Sequence, residues 1–394
     1  MRHGEHDPWT SARPRRSPFS AAGRDAARRV RDALDRAGYG EPRVLELLGV
    51  AALPSFRRRQ PLSPGLREGG PLESLVRLFL LKEPAPLDAV RRTLAPARLE
   101  DGIEAGLLEA DPLGLRATVE LTPYEGLVVA ADWPGGRAAD PLEVMGVAAS
   151  TRALAQMTVR RRAARTLDLG TGSGVLALLA AAHSDSVLAT DRNPRALDFA
   201  RFNAQFNAVA NVAFLAGDLF EPLRGETFDL IVCNPPFVIA PRLEYVHTHS
   251  GRPADTLCRE IVSAAPARLA EGGLCQLVCN WARVAGQDWQ ERLAGWIEGT
   301  GCDAWVLHSH SEDAAAYASA RIAETADDPA LSAGRFDEWM AYYGRERIEA
   351  VGFGLITLRR RTGSGHTFRW SRLADVAGPI GPAIELAFGP PAGA

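Results

Sequence analysis

Leu167-Asp168-Leu169-Gly170-Thr171-Gly172-Ser173-Gly174 is the stretch on which the reading of this chain turns. It takes in most of a strand-like run at 166–169 and precedes a helix-forming run at 175–182, so it sits where a strand turns into a helix. Glycines at alternate positions let the backbone approach a ligand and take conformations that a side chain forbids. By itself such a turn also suits a dinucleotide. The spacing, however, is Gly-x-Gly-x-Gly with an acid two residues before the first glycine. With no Gly-x-Gly-x-x-Gly and no hydride-transfer pair in view, a nicotinamide dehydrogenase is disfavoured.

Outward from this turn the chain alternates strand and helix. Strands are predicted at 166–169, 187–191, 212–216, 228–233, 274–279 and 303–308, with helices at 175–182, 194–206, 256–269 and 288–299 between them. A late strand at 351–360 follows a long helical insertion. Strands separated by helices imply a mostly parallel, doubly wound α/β sheet of Rossmann-like type. Asp168, Asp191 and Asp218 fall at the ends of three successive strands. Singly each would be an ordinary loop or cap residue; in series they mark the carboxyl edge where such sheets bind ligands. The buried strand 228–233 runs straight into Asn234-Pro235-Pro236-Phe237.

Together these residues resemble the motifs of class I S-adenosylmethionine-dependent methyltransferases, over roughly residues 140–310 plus the late strand. The resemblance implies that Asp168 and the backbone of Gly170, Thr171, Gly172 and Gly174 face the methionine part of S-adenosylmethionine. It also implies that Asp191 accepts from the ribose hydroxyls and Asp218 from the adenine amine, while Leu219 packs on the ring. Asn234-Pro235-Pro236-Phe237 matches the Asn-Pro-Pro-aromatic motif of the amino-group enzymes. The sequence is thus similar to the "methyltransferase small" and release-factor glutamine methyltransferase superfamily, which also holds guanine-N2 ribosomal RNA and adenine-N6 enzymes.

The chemistry of that motif is specific. An amide or aniline-like nitrogen is a poor nucleophile because its lone pair is delocalised. The Asn234 side-chain oxygen and the Pro235 carbonyl can accept its two N–H groups, aiming the lone pair at the methyl and stabilising charge that develops on nitrogen. Pro235 and Pro236 stiffen the carbonyl, and Phe237 is expected to lie against the flat target. No separate general base is evident. Phe rather than Tyr in fourth place resembles the ribosomal RNA members, so the leading expectation is an exocyclic amine of RNA, less so DNA. The alternative is a glutamine amide of a protein such as a release factor. A non-catalytic binding protein with a vestigial cofactor site is the remaining class, and the intact Asp168, Gly170, Asp191, Asp218 and Asn234 argue against it.

At 394 residues the chain has room for two or three domains. The expected division is a disordered polar tail (1–20), a helical, winged-helix-like domain (21–135), the methyltransferase domain (136–362) and a C-terminal extension (363–394). In the second, helices are expected at 26–37, 71–81, 87–94 and 96–109, and strands at 115–121 and 127–131. Helices followed by a hairpin is the order of a winged helix, which makes RNA or the ribosome the expected partner, with a protein substrate as the alternative. A formal net charge of −3 excludes a polycation, so nucleic-acid contact would need a local patch. Arg57–Arg59, Arg160–Arg162 and Arg359–Arg361 read as solvated faces.

No apolar run reaches the length of a membrane span, and residues 1–20 lack a signal-peptide core. Five cysteines without a Cys-x-x-Cys pair read as buried thiols in a reducing cytoplasm. His247/His249 and His308/His310 lack further ligands, so no metal site is assigned. Both pairs read as solvent-facing, the first with a possible place at the substrate mouth. Trp281, Trp289, Trp296 and Trp305 read as core or sheet cover, and Asn280-Trp281 as ending the fifth strand beside the site.

Overall fold

The computed structural model describes residue 19 and residues 23–53, 69–134, 140–242, 247–325, 329–361, 366–373 and 378–389. The expected tail, Phe19 apart, and the run Arg57–Arg59 lie outside these residues.

The N-terminal region is helical first. Helix α1 (Arg24–Ala37) buries Ala26, Ala27, Val30, Ala33 and Leu34, one stripe at helical spacing, and Gly38 ends it in the left-handed conformation. Helices α2 (Glu41–Leu48), α3 (Pro71–Phe79), α4 (Leu87–Leu94) and α5 (Leu99–Glu104) follow. The helix expected over 96–109 stops at Glu104, and Leu108–Asp111 (β1) instead pairs antiparallel with Gly114–Ala117 (β2). The strand expected over 115–121 divides into β2, which pairs with β1 as far as the bond from Thr118 N to Leu107 O (3.0 Å), and β3 (Glu120–Tyr124), which pairs with a different strand. The apolar alternation persists across that break, since Leu115, Ala117, Val119 and Leu121 enter one core.

β3 pairs with β4 (Leu127–Ala131) as a separate hairpin. It is bound to the rest of the chain by an asparagine of helix α8, described below, and by the asparagine that caps that helix. Asn203 accepts from Ala130 N (2.8 Å) and donates to Ala130 O (2.9 Å); Asn207 does the same with Val128 (2.8 and 2.9 Å). Each side-chain amide thus copies a neighbouring strand and satisfies an edge that would otherwise be left unpaired. Phe199, Phe202 and Phe206 of the same helix share a core with Val30, Leu34 and Phe79.

Downstream, α6 (Ala149–Met157) leads into the main sheet, made of β5 (Ala163–Leu169), β6 (Ser184–Asp191), β7 (Val212–Ala216), β8 (Phe228–Cys233), β9 (Leu269–Val284), β10 (Cys302–Asp313), β11 (Ile348–Arg360) and β12 (Phe368–Arg372). Helices α7 (Val175–Ala181), α8 (Pro194–Phe206), α9 (Thr256–Ala264), α10 (Trp289–Ile297), α11 (Ala314–Thr325), α12 (Pro329–Glu346) and α13 (Gly381–Phe388) complete the chain. The strand order is β12-β10-β11-β9-β8-β5-β6-β7. β5 to β9 are parallel, β11 runs antiparallel between β9 and β10, and β12 adds parallel to β10. Since β5 has β6 on one side and β8 on the other, the chain reverses its direction of travel across the sheet there, which opens a crevice at the carboxyl ends.

The Rossmann-like expectation therefore holds, with changed limits. The helix predicted over 256–269 ends at Ala264, before a 3₁₀ turn that carries Pro266. β9 and β10 outrun their predicted ends, and α13 lies in the C-terminal extension. Two apolar clusters cover the two faces of the sheet, and all five cysteines are free and buried. Among the described residues no helix is long and apolar enough to cross a membrane.

Candidate active site

The glycine turn joins β5 to α7 and is tied to the neighbouring strand: Gly170 N and Thr171 N both donate to Thr190 O, at 2.9 and 2.8 Å. Gly170, Gly172 and Gly174 all have positive φ (74°, 55° and 89°), which L side chains rarely adopt. At Gly174 a Cβ would also meet Ala200 Cβ at 3.0 Å, so this glycine lets α8 approach the loop. At Gly170 and Gly172 a Cβ would meet nothing within 4 Å, since these two border open cleft.

Asp168 takes a different place from the one expected. It is 0% exposed and does not line the cleft. Its Oδ2 accepts from Thr171 Oγ1 (2.6 Å) and Ala177 N (2.9 Å), pinning the loop to the first turn of α7 from beneath. Oδ1 has no partner, and burial pushes the carboxyl up to about 7.

Asp191, at the end of β6, does line the cleft. Its two oxygens accept from Asn193 N (2.8 Å) and Gly172 N (2.9 Å), which binds the strand end to the glycine turn. Burial raises its pKa. Asp218 and Leu219 follow β7 and line the same cleft, with Leu219 held at φ 48°. The Asp218 carboxylate, 40% exposed, accepts from Arg252 at 3.2 Å, and Arg252 also pairs with Glu260. The carboxylates at two adjacent strand ends and the open glycine turn suit the ribose, adenine and methionine parts of S-adenosylmethionine respectively.

Asn234, Pro235 and Pro236 leave β8 directly into the cleft. Asn234 Nδ2 donates to Ser150 Oγ (3.2 Å) and Thr151 Oγ1 (3.1 Å) at the start of α6. Phe237 corrects an expectation: it is half-buried, packs between the clusters on the two faces of the sheet, and does not line the cleft. Asn280 is also not at the site. It is 2% exposed and donates to Tyr317 OH at 2.9 Å, because β9 runs on past it and α11 covers that face.

Sequence reasoning missed most of the far wall. The segment 143–146 borders the cleft, anchored where Val144 N donates to Asp132 Oδ2 (3.0 Å) and Asn193 Nδ2 to Leu142 O (3.0 Å). Asp132 in turn forms a buried ion pair with Arg195 of α8. His247 and His249 line the cleft and are not solvent-facing. Val238 N donates to Thr248 O at 2.9 Å, zipping their segment onto the residues that follow the Asn-Pro-Pro motif. Burial lowers His247 and brings His249 down to about 4, so both imidazoles are neutral at pH 7. The other expected pair, His308/His310, lies along β10. Among the described residues no cluster of three or more His, Cys, Asp or Glu is arranged to hold a metal ion.

Fold and cleft define a Rossmann-like class I methyltransferase. Residues 145–289 match the methyltransferase small domain, and residues 36–118 match Domain of unknown function (DUF7059). Release factor glutamine methyltransferase of Xylella fastidiosa is 38% identical over 133 residues, 31% of this chain and 48% of that one. The protein of the same name from Deinococcus radiodurans is 30% identical over 190 residues, 44% of this chain and 68% of that one. That of Escherichia coli K12 is 46% identical over 76 residues, 19% and 27% of the two chains. The chain belongs to the superfamily of S-adenosylmethionine-dependent methyltransferases that holds the methyltransferase small domain and the release factor glutamine enzymes. It spans about half the length of the first curated relatives it matches.

Proposed function

We propose that this protein transfers the methyl group of S-adenosylmethionine to a planar amide nitrogen, and that the acceptor is a glutamine side chain of a protein such as a release factor. The observation that carries the reading is the state of Asn234. Its Nδ2 donates to the Ser150 and Thr151 hydroxyl oxygens, so Oδ1 is the end left to accept from an incoming N–H. Pro235, at the same cleft wall, supplies a carbonyl as the second acceptor. S-adenosylmethionine supplies an electrophilic methyl on a sulfonium; the chain's part is to orient the nitrogen lone pair and to stabilise the positive charge that grows on it. The proton leaves to solvent once methylation has made the nitrogen acidic, so no strong base is needed.

The choice of acceptor departs from the leading expectation of an RNA base, for two reasons. Phe237, the residue that favoured RNA, does not border the cleft. The ionisable side chains that do are Glu143, Asp191, Asp218, Arg192 and Arg252, with two neutral histidines, and Arg252 is already paired with Asp218 and Glu260. Such a wall is no phosphate groove, and the relatives' names point to a protein amide.

The test is label transfer from tritiated S-adenosylmethionine to a purified release factor, with total RNA in a parallel reaction. Label in the protein that survives RNase and is recovered as N5-methylglutamine is the expected result. Label in the RNA alone overturns the acceptor and keeps the chemistry; no label in either overturns both.

A further inference from the structure

We propose that Ser150 and Thr151 are positioning residues of the acceptor site, which hold the Asn234 amide with its oxygen, and not its nitrogen, toward the substrate. The inference rests on the reading of Asn234 given above and extends it to residues more than eighty positions away in sequence.

A side-chain amide is nearly symmetric in shape and opposite in chemistry at its two ends. One end accepts; the other donates twice. An acceptor nitrogen that carries two N–H groups needs the oxygen. If the amide turned over, two sets of N–H donors would oppose each other and the lone pair would lose its alignment with the methyl. The amide therefore needs a partner that consumes Nδ2. The Ser150 and Thr151 hydroxyl oxygens, 3.2 and 3.1 Å from Nδ2, accept from it and do this.

A hydroxyl near a helix N-terminus can be used to cap it. Here neither is so used: Ala148 is the N-cap of α6, and no side chain makes a capping bond there. Thr151 is only 7% exposed, so water competes little for its hydroxyl, and it borders the cleft itself. α6 also packs against β9 and α7, so the hydroxyls sit on an element fixed by the core and not on a loop.

Steady-state methyl transfer by the full-length protein tests the proposal. Thr151→Val keeps the shape and removes the acceptor, and is expected to cut kcat by about tenfold, with Ser150→Ala/Thr151→Val approaching ~100-fold. The KM for S-adenosylmethionine should stay within about twofold, because the cofactor-side residues are untouched. Thr151→Ser, which restores the hydroxyl with little change in packing, should recover most of the activity. In an Asn234→Ala background the Thr151→Val change should cost nothing further, since there is no amide left to hold. Wild-type kcat in the double variant, or an undiminished further loss in the Asn234→Ala background, overturns this inference alone. Wild-type kcat in Asn234→Ala itself overturns the function proposed above, and this inference with it.

Discussion

The two halves of the cleft are built by different means. On the side proposed to hold the cofactor the groups come from three consecutive strand ends and the turn after β5. They hold one another mainly through the backbone: Asp168 to Ala177 N, Asp191 to Gly172 N and Asn193 N, Gly170 and Thr171 to Thr190 O. On the acceptor side the groups come from three separate stretches of sequence, namely 143–151 with the first turn of α6, the motif after β8, and 247–252. There side chain meets side chain, as in Asn234 with Ser150 and Thr151. One half is thus a rigid feature of the fold, and the other an assembly that can vary without disturbing it.

The sharpest way to break the comparison is to ask whether the halves separate in kinetics. Asn234→Ala removes an interaction made in the transition state and leaves the glycine turn and the acids of the cofactor side in place. The expected loss is ~10²- to 10³-fold in kcat, the usual cost of removing one such stabilising contact. Its affinity for S-adenosylmethionine, measured by titration calorimetry, should be close to wild type. A large loss of cofactor affinity in this variant would show that the halves form one unit.

The converse change is smaller. Asp191→Ala should raise the Kd for S-adenosylmethionine by about 10- to 100-fold, since hydrogen bonds to a charged carboxylate are worth ~1.5–3 kcal/mol each. Part of that loss would be indirect, because Asp191 also fixes Gly172 N and Asn193 N. At saturating cofactor the kcat should recover. An unchanged Kd would remove Asp191 from the ribose role and place its importance in shaping the turn.

The same division explains what could be read from the sequence. The β5 turn, the acids Asp191 and Asp218, and Asn234-Pro235-Pro236 are contiguous with their strands, so alternating strand and helix patterns carry them to the site without knowledge of tertiary contacts. Ser150, Thr151, His247, His249 and Arg252 reach the cleft only through packing that has no local signature. Thr151 belongs to no motif, and the histidines resembled ordinary loop residues. Even in the motif, Phe237 was misplaced because a residue beyond a strand end can turn to either face, and here two apolar clusters claim it. In the N-terminal region the helices were legible from their stripes. The hairpin count was not, since the break at Thr118 leaves the apolar alternation intact, and the docking of β4 depends on Asn203 and Asn207, within and capping a helix some seventy residues later.

Asp168 gives the smallest predicted effect and the most direct probe of the rigid half. Its carboxyl, fully buried with one oxygen unpartnered, titrates near 7, above the usual carboxylate value of ~3.9. A raised folded-state pKa favours the folded protein when the group is protonated. That contribution is complete below about pH 4 and is lost as pH rises through about 7. Asp168→Asn carries no titrating group and so lacks this loss. In ligand-free protein the wild-type melting temperature should therefore fall relative to that of Asp168→Asn between pH 4 and 7, then run parallel to it above pH 8. The difference amounts to several degrees for a chain of this size, at ~2–4 °C per kcal/mol. The absolute offset between the two depends on how well Nδ2 of the asparagine is accommodated; the slope does not. Parallel curves over the whole range would mean that Asp168 is ionised in the ligand-free protein at acid pH, which would require a partner for Oδ1 and a turn held by charge as well as by backbone.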